Sequence, residues 1–175
     1  MRRLVCCAAF AAISLVSRGA LELSADGLEV VIAPDAPSCV RFAADELTNF
    51  LSRAYGRTVP LSTAFDASRH AIVLGDNAWS RAAGIETGGF VRDQFAIRVD
   101  GSAGRVYIAG KDDPASRLAQ TVRCGSYPRA EASTLFGVYE FLERFYGCRF
   151  YFPGPCGEIV PKASVVTIPD GDYGR

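Results

Sequence analysis

Apolar and polar positions alternate in short runs that are separated by turn residues and by two longer amphipathic stretches. In GLEVVIA, residues 27–33, Leu28, Val30 and Ile32 stand against Glu29, Val31 and Ala33, which predicts a strand with little polar surface on either face. After a turn at Pro34 to Pro37, Val40, Ala43, Leu47, Phe50 and Ala54 recur at three- and four-residue steps. That spacing predicts an amphipathic helix, capped by Asp35 or Ser38 and ended by Gly56. HAIVLG, residues 70–75, is a continuous apolar run of the kind found in central strands. Phe95, Ile97 and Val99 alternate with polar or small residues, and Val106 and Ile108 repeat the pattern after the turn DGSAG, so a β-hairpin is expected there. A hairpin beside central strands argues against a purely parallel sheet.

A second helix is expected over 133–146, with Leu135, Val138, Leu142 and Phe145 on one stripe, Tyr139 and Tyr146 widening it, and Glu140 with Arg144 as an exposed i,i+4 pair. Gly137 falls in the middle of this helix, where it costs about 1 kcal/mol relative to alanine, and close packing on a strand is the expected compensation. Gly147 is placed as its C-cap. ASVVTIP, residues 163–169, completes the strands, and the segment from Asp112 to Ala130 reads as a long loop with two prolines and weak periodicity.

The first twenty residues add a compartment. Arg2 and Arg3 precede an uncharged apolar run from Leu4 to Val16 and a small-residue region from Ser17 to Ala20, the layout of a secretory signal peptide cleaved after Gly19 or Ala20. The expected organisation is a signal peptide over 1–20, a domain over 21–169, and the start of a linker over 170–175, in a secreted or periplasmic protein with no membrane span once the signal is removed. Removing Arg2, Arg3 and Arg18 leaves sixteen basic against nineteen acidic residues, so the basic footprint of a nucleic-acid binder is absent.

Four cysteines then remain, Cys39, Cys124, Cys148 and Cys156, which allow three pairings. Cys148 with Cys156, flanking a turn rich in proline and glycine, is the first candidate disulfide. No CxxC or Cys/His spacing is present and His70 is the only histidine, so no metal site is expected. Phosphate-cradling glycine motifs and a GxSxG elbow are absent as well, and no cofactor is expected.

The carboxylate pairs Asp112 with Asp113, Asp45 with Glu46, and Glu140 with Glu143 either diverge or sit on charged helix faces, so no catalytic residue is assigned. Arg149, Tyr151 and Phe152 have no obvious buried face and are candidates to meet a neighbouring domain or a sugar. Trp79, the only tryptophan, is a further candidate sugar contact.

TLFGVYEFLERFYGCRFYFPGPCGEIVP, residues 134–161, resembles the signature of the N-terminal domain of α-glucuronidase-like secreted bacterial proteins, a domain similar to the second domain of β-N-acetylhexosaminidases. The Ala43–Leu47 helix core, HAIVLG and VYIAGKDD match further parts, so the resemblance covers most of residues 27–169. Phe150 stands where tryptophan is common, Ser133 replaces a glycine, and 114–130 is an insertion. The resemblance implies an α/β (α+β) sandwich, a mixed sheet with helices packed on one side, as a non-catalytic accessory domain packing on a downstream catalytic (β/α)-barrel. The rival expectation is a free-standing polysaccharide-binding module.

Overall fold

The computed structural model describes residues 19–115, 131–152 and 154–174. Its centre is a mixed sheet. β2 (Leu28–Ile32), β4 (His70–Leu74) and β6 (Arg105–Gly110) lie parallel and adjacent, with Val30 opposite Ile72 and Ile72 opposite Val106. The two-residue strand β3 (Leu61–Ser62) extends the parallel part beyond β2. On the other side β5 (Phe95–Asp100) pairs antiparallel with β6, and β10 (Gly171–Gly174) pairs antiparallel with β5. The order across the sheet is therefore β10-β5-β6-β4-β2-β3.

Two long helices cover one face. α1 (Ser38–Tyr55) and α3 (Ser133–Tyr146) bury Val40, Leu47 and Leu51, and Val138, Phe141 and Leu142, against Leu28, Ile72, Ile97 and Ile108 of the sheet. Each such side chain taken fully from water contributes about 1.5–3 kcal/mol, so this layer dominates the stability of the fold. Both helices end in left-handed glycines, Gly56 at φ 69° and Gly147 at φ 70°, conformations an L side chain rarely adopts. Pro37 occupies the N-cap of α1 and offers no side-chain acceptor, so neither Asp35 nor Ser38 holds the expected capping position. Gly137 lets α3 lie directly on the sheet: a Cβ there would stand 2.6 Å from a methyl of Ile108 and 3.2 Å from the Phe95 ring.

Among the described residues, the opposite face is covered only in part. Val31, Ala71 and Val73 are sealed by Phe65, Tyr107 and Trp79, the last on the short helix α2 (Ala78–Ala82). Glu29 is buried beside them because its carboxylate accepts the Asp66 N–H at 2.8 Å.

Outside the main sheet, β1 (Ala20–Ser24) pairs antiparallel with β9 (Val165–Pro169), and β7 (Arg149–Phe150) with β8 (Glu158–Ile159). The reading of 170–175 as a linker does not hold for 171–174. These residues complete the sheet edge, with Tyr173 packed on Phe145 at 5.2 Å and Arg98 forked onto Asp172 across the strands. The signal-peptide expectation over 1–18 and the insertion over 116–130 lie outside the described residues, as does Cys124.

Candidate functional site

The β7–β8 hairpin grows from the C-terminal end of α3. Phe150 turns inward and meets Phe50 and Tyr139 edge to face, with ring centres 5.2 and 4.9 Å apart. Tyr139 donates to Glu46 at 2.8 Å, and burial together with that acidic neighbour drives its phenol well above the ordinary range. Glu158, opposite Phe150, accepts from Arg53 at 2.5 Å, and Arg53 in turn lies over the Phe50 ring. An inward aromatic and an ion pair thus fix the hairpin base to both helices.

With Phe150 turned in, its neighbours project outward. Tyr151 is 69% exposed, Phe152 57% and Ile159 50%, which makes a small aromatic and aliphatic surface at the tip. The tip has a defined shape: Tyr151 N–H donates to the Gly157 carbonyl and Gly157 N–H to the Gly154 carbonyl, both at 2.9 Å. Gly157 lies so close to the Phe152 carbonyl that no Cβ fits. Arg149 is exposed but not idle, because its guanidinium donates to the carbonyls of Cys148 at 2.6 Å and Glu143 at 3.2 Å, closing the end of α3.

The structure separates the residues singled out from sequence. Arg149, Tyr151 and Phe152 share the hairpin on the helix side of the sheet, whereas Trp79 lies on the other face, its ring tilted 55° against Phe65 with centroids 4.8 Å apart. Trp79 is half-buried there and does not lie beside Tyr151. Cys39, Cys148 and Cys156 are free thiols. Cys148 is buried under the α3 end while Cys156 is exposed in the turn at the far end of the hairpin, so the expected Cys148–Cys156 bridge is not formed.

A second feature, unread in the sequence, lies where the parallel strands end. The loops after β2, β4 and β6 and the start of α1 enclose a cleft of about 500 Å³, lined by Asp35, Asp76, Asn77, Thr87, Lys111 and Asp112 among others. Such crevices beyond the carboxyl ends of parallel strands are where open α/β sheets take ligands. The signal for it is an acidic residue two positions beyond an apolar strand, in LGDN and AGKDD.

The polar groups of this cleft are largely spent on the fold. Asn77 caps α2, accepting from Trp79 and Ser80 N–H at 2.9 and 3.1 Å and donating to the Leu74 and Gly75 carbonyls. Asp76 binds Thr87 at 2.6 Å and Arg81 at 2.5 Å. Asp112 accepts both the backbone and the hydroxyl of Thr134, at 3.0 and 2.5 Å, and so caps α3 from across the chain. Burial raises the Asp112 carboxyl above its ordinary range; Thr134 partly offsets this and Asp76 adds to it. Cys39, near the same carboxylate, is pushed up to about 11, chiefly by burial.

The carboxylate pairs considered from sequence have comparable duties, with Glu46 on Tyr139 and Glu140 on Arg144 at 2.6 Å. No group of three or more metal-ligating side chains occurs among the described residues, and no described helix is long and apolar enough to cross a membrane.

No protein-family model matches this sequence, and no curated protein matches it either. Solved structures do share its fold. The GH20 β-N-acetylhexosaminidase from Streptomyces coelicolor A3(2) superimposes with a TM-score of 0.54 at 12% identity, over 90% of this chain and 24% of that one. A GH115 4-O-methyl-α-glucuronidase with specificity for decorated arabinogalactans superimposes with a TM-score of 0.53 at 16% identity, over 89% of this chain and 18% of that one. The fold is thus that of a mixed-sheet α+β unit found within larger glycoside hydrolases, and this chain spans a quarter or less of their length.

Proposed function

We propose that the chain is a non-catalytic accessory domain of an exported carbohydrate-active enzyme, packing against a catalytic (β/α)-barrel that lies outside the chain. The observation that carries this reading is the fold shared with two glycoside hydrolases of which the chain matches only 24% and 18%. Two further facts agree with it. The cleft carboxylates are engaged in capping and ion pairing, and the anchored hairpin leaves Tyr151, Phe152 and Arg149 exposed, which is the surface this reading assigns to the barrel or its sugar substrate. The apolar leader before Gly19 supports export to the periplasm or medium.

The test is the coding DNA beyond the Arg175 codon in the source genome. An open frame that continues for the roughly 250 residues a barrel needs, in strand and helix alternation, is the expected result. A stop codon directly after Arg175 removes the reading.

A second reading, a free-standing polysaccharide-binding module, is favoured by two adjacent exposed rings, Tyr151 and Phe152. Retention of the protein on insoluble polysaccharide, lost in Tyr151→Ala, is its signature.

A further inference from the structure

We infer that the cleft beyond the parallel strands is a binding site for a small, neutral, hydroxyl-rich molecule, with a single sugar ring as the chemistry it fits. The site needs neither a barrel nor the hairpin, so it stands whether or not the accessory-domain reading does.

Topology opens the cleft. β2, β4 and β6 run side by side in the same direction. After β2 the chain turns to α1 on the long-helix face, whereas after β4 it turns to α2 on the opposite face. Adjacent parallel strands whose exits diverge in this way leave a crevice at their carboxyl ends, the place where open α/β sheets bind ligands. Gly75 keeps the floor low at the end of β4. It is left-handed at φ 85°, and a Cβ there would stand 2.9 Å from a methyl of Val40. The volume of about 500 Å³ lies within the range of small-molecule sites.

The lining has two kinds of surface. Val40 and Leu74 are apolar and suit the C–H face of a sugar ring, while Asp35, Asp76 and Asp112 bring carboxylates and Lys111 an ammonium. Fold duties leave acceptors to spare. Each oxygen of Asp76 accepts one bond, from Arg81 or from Thr87, whereas a carboxylate offers about four acceptor sites. Asp35, exposed on the rim, has no hydrogen-bond or ion-pair partner among the described residues. Lys111 stands 3.8 Å from Glu131, too far for a hydrogen bond, so its donors are also unspent.

The charge balance selects the ligand. Three carboxylates against one ammonium repel a phosphate, a sulfate or a uronate. Asp76 is neutralised by Arg81, and no group of three metal-ligating side chains occurs among the described residues, so the concentrated charge that holds a metal ion is missing. Spare acceptors call for donors, which sugar hydroxyls supply, and Lys111 donates in return to a ring or hydroxyl oxygen.

The experiment follows backbone amides of the full, nitrogen-labelled chain by NMR during titration with D-glucose, D-galactose and N-acetyl-D-glucosamine in turn. D-glucuronate and D-glucosamine serve as charged comparators. Saturable shifts at Gly75, Asn77, Gly88 and Lys111 are expected with at least one neutral sugar, and none with glucuronate. Asp35→Ala changes an exposed side chain and is expected to weaken binding at least about tenfold, the loss of a hydrogen bond to a charged group. Tyr151→Ala is expected to leave the affinity unchanged. Absence of shifts at the cleft with every neutral sugar overturns the inference, as do shifts confined to Tyr151 and Gly157, which belong to the hairpin. Binding of glucosamine or glucuronate alone overturns the neutral ligand class. Equal affinity in wild type and Asp35→Ala overturns the role of the rim carboxylate.

Discussion

Arg53 of α1 and Glu158 of β8 are 105 residues apart in sequence, yet their side chains meet at 2.5 Å, and Lys162 closes over the same place by donating to the Arg53 carbonyl at 2.6 Å. This pair ties the outward-facing hairpin to the helix layer. Glu158→Gln is expected to cost about 1 kcal/mol or less globally, since Arg53 is substantially exposed. The local effect is expected to be larger: amide exchange at Tyr151 and Gly157 should speed up well before global unfolding. Unchanged exchange at those amides would show that Phe150 alone holds the hairpin.

Gly137→Ala sets two effects against each other. Helix propensity favours alanine by about 1 kcal/mol. The added methyl, however, meets Ile108 at 2.6 Å and the Phe95 ring at 3.2 Å, and overpacking of this kind costs about 1–3 kcal/mol. Net destabilisation is expected in urea unfolding, and a rise in the midpoint contradicts the close helix–sheet contact.

The Asp112 carboxyl carries a pH signature. Its folded value is raised above 3.8, chiefly by burial, so the folded state holds this proton more tightly than the unfolded chain does. Its contribution is therefore most favourable below pH about 3.8 and is lost as pH rises through the raised folded value. Plotted against pH, the stability of the wild type relative to Asp112→Asn should fall across that window and be flat above it. A difference that rises with pH reverses the sign and refutes burial as the dominant cause.

Thiol chemistry distinguishes the cysteines. Cys156 is exposed, whereas Cys39 and Cys148 are buried with thiols pushed upward by burial, Cys39 to about 11. Among these three, iodoacetamide at pH 8 is expected to modify Cys156 first, with the other two reacting only in denaturant. Peptide mapping that finds Cys148 modified at the same rate would place it outside the core.

In the whole enzyme expected from the proposed function, Tyr151→Ala and Arg149→Ala should act differently. The Tyr151 side chain is exposed, so its loss should reduce turnover or interdomain stability without changing the fold of this unit. Arg149 also closes α3, so its loss should lower the unit's own melting temperature by a few degrees. If neither variant changes stability or turnover, the hairpin is not the docking surface.

The period of the apolar residues carries α1, α3, β4 and the β5–β6 hairpin through to the structure, because each of these elements buries one continuous face. Gly137 and Gly147 were legible for a similar reason: a glycine within or just after a strong helical pattern has few other uses. β10 was not legible. Its four residues, GDYG, read as part of a linker, and only pairing with β5 makes them a strand. Likewise Asp76 and Asp112 follow different strands and share a cleft only because β4 and β6 are neighbours. The partner of Trp79 was not legible either, because a lone tryptophan looks the same in sequence whether it faces Phe65 or water.

The pairing of β1 with β9 binds the first described strand to one of the last, Ala20 against Pro169 and Ser24 against Val165. During synthesis β1 has no partner until nearly the entire domain has left the ribosome, and its buried leucines stay uncovered through that interval. Closing so large a loop is slow relative to local helix and hairpin formation. Pairing of β1 with β9 is therefore expected among the last steps in the folding of this unit, and removal of either strand should uncover Leu21, Leu23 and Ile168 from the core they share.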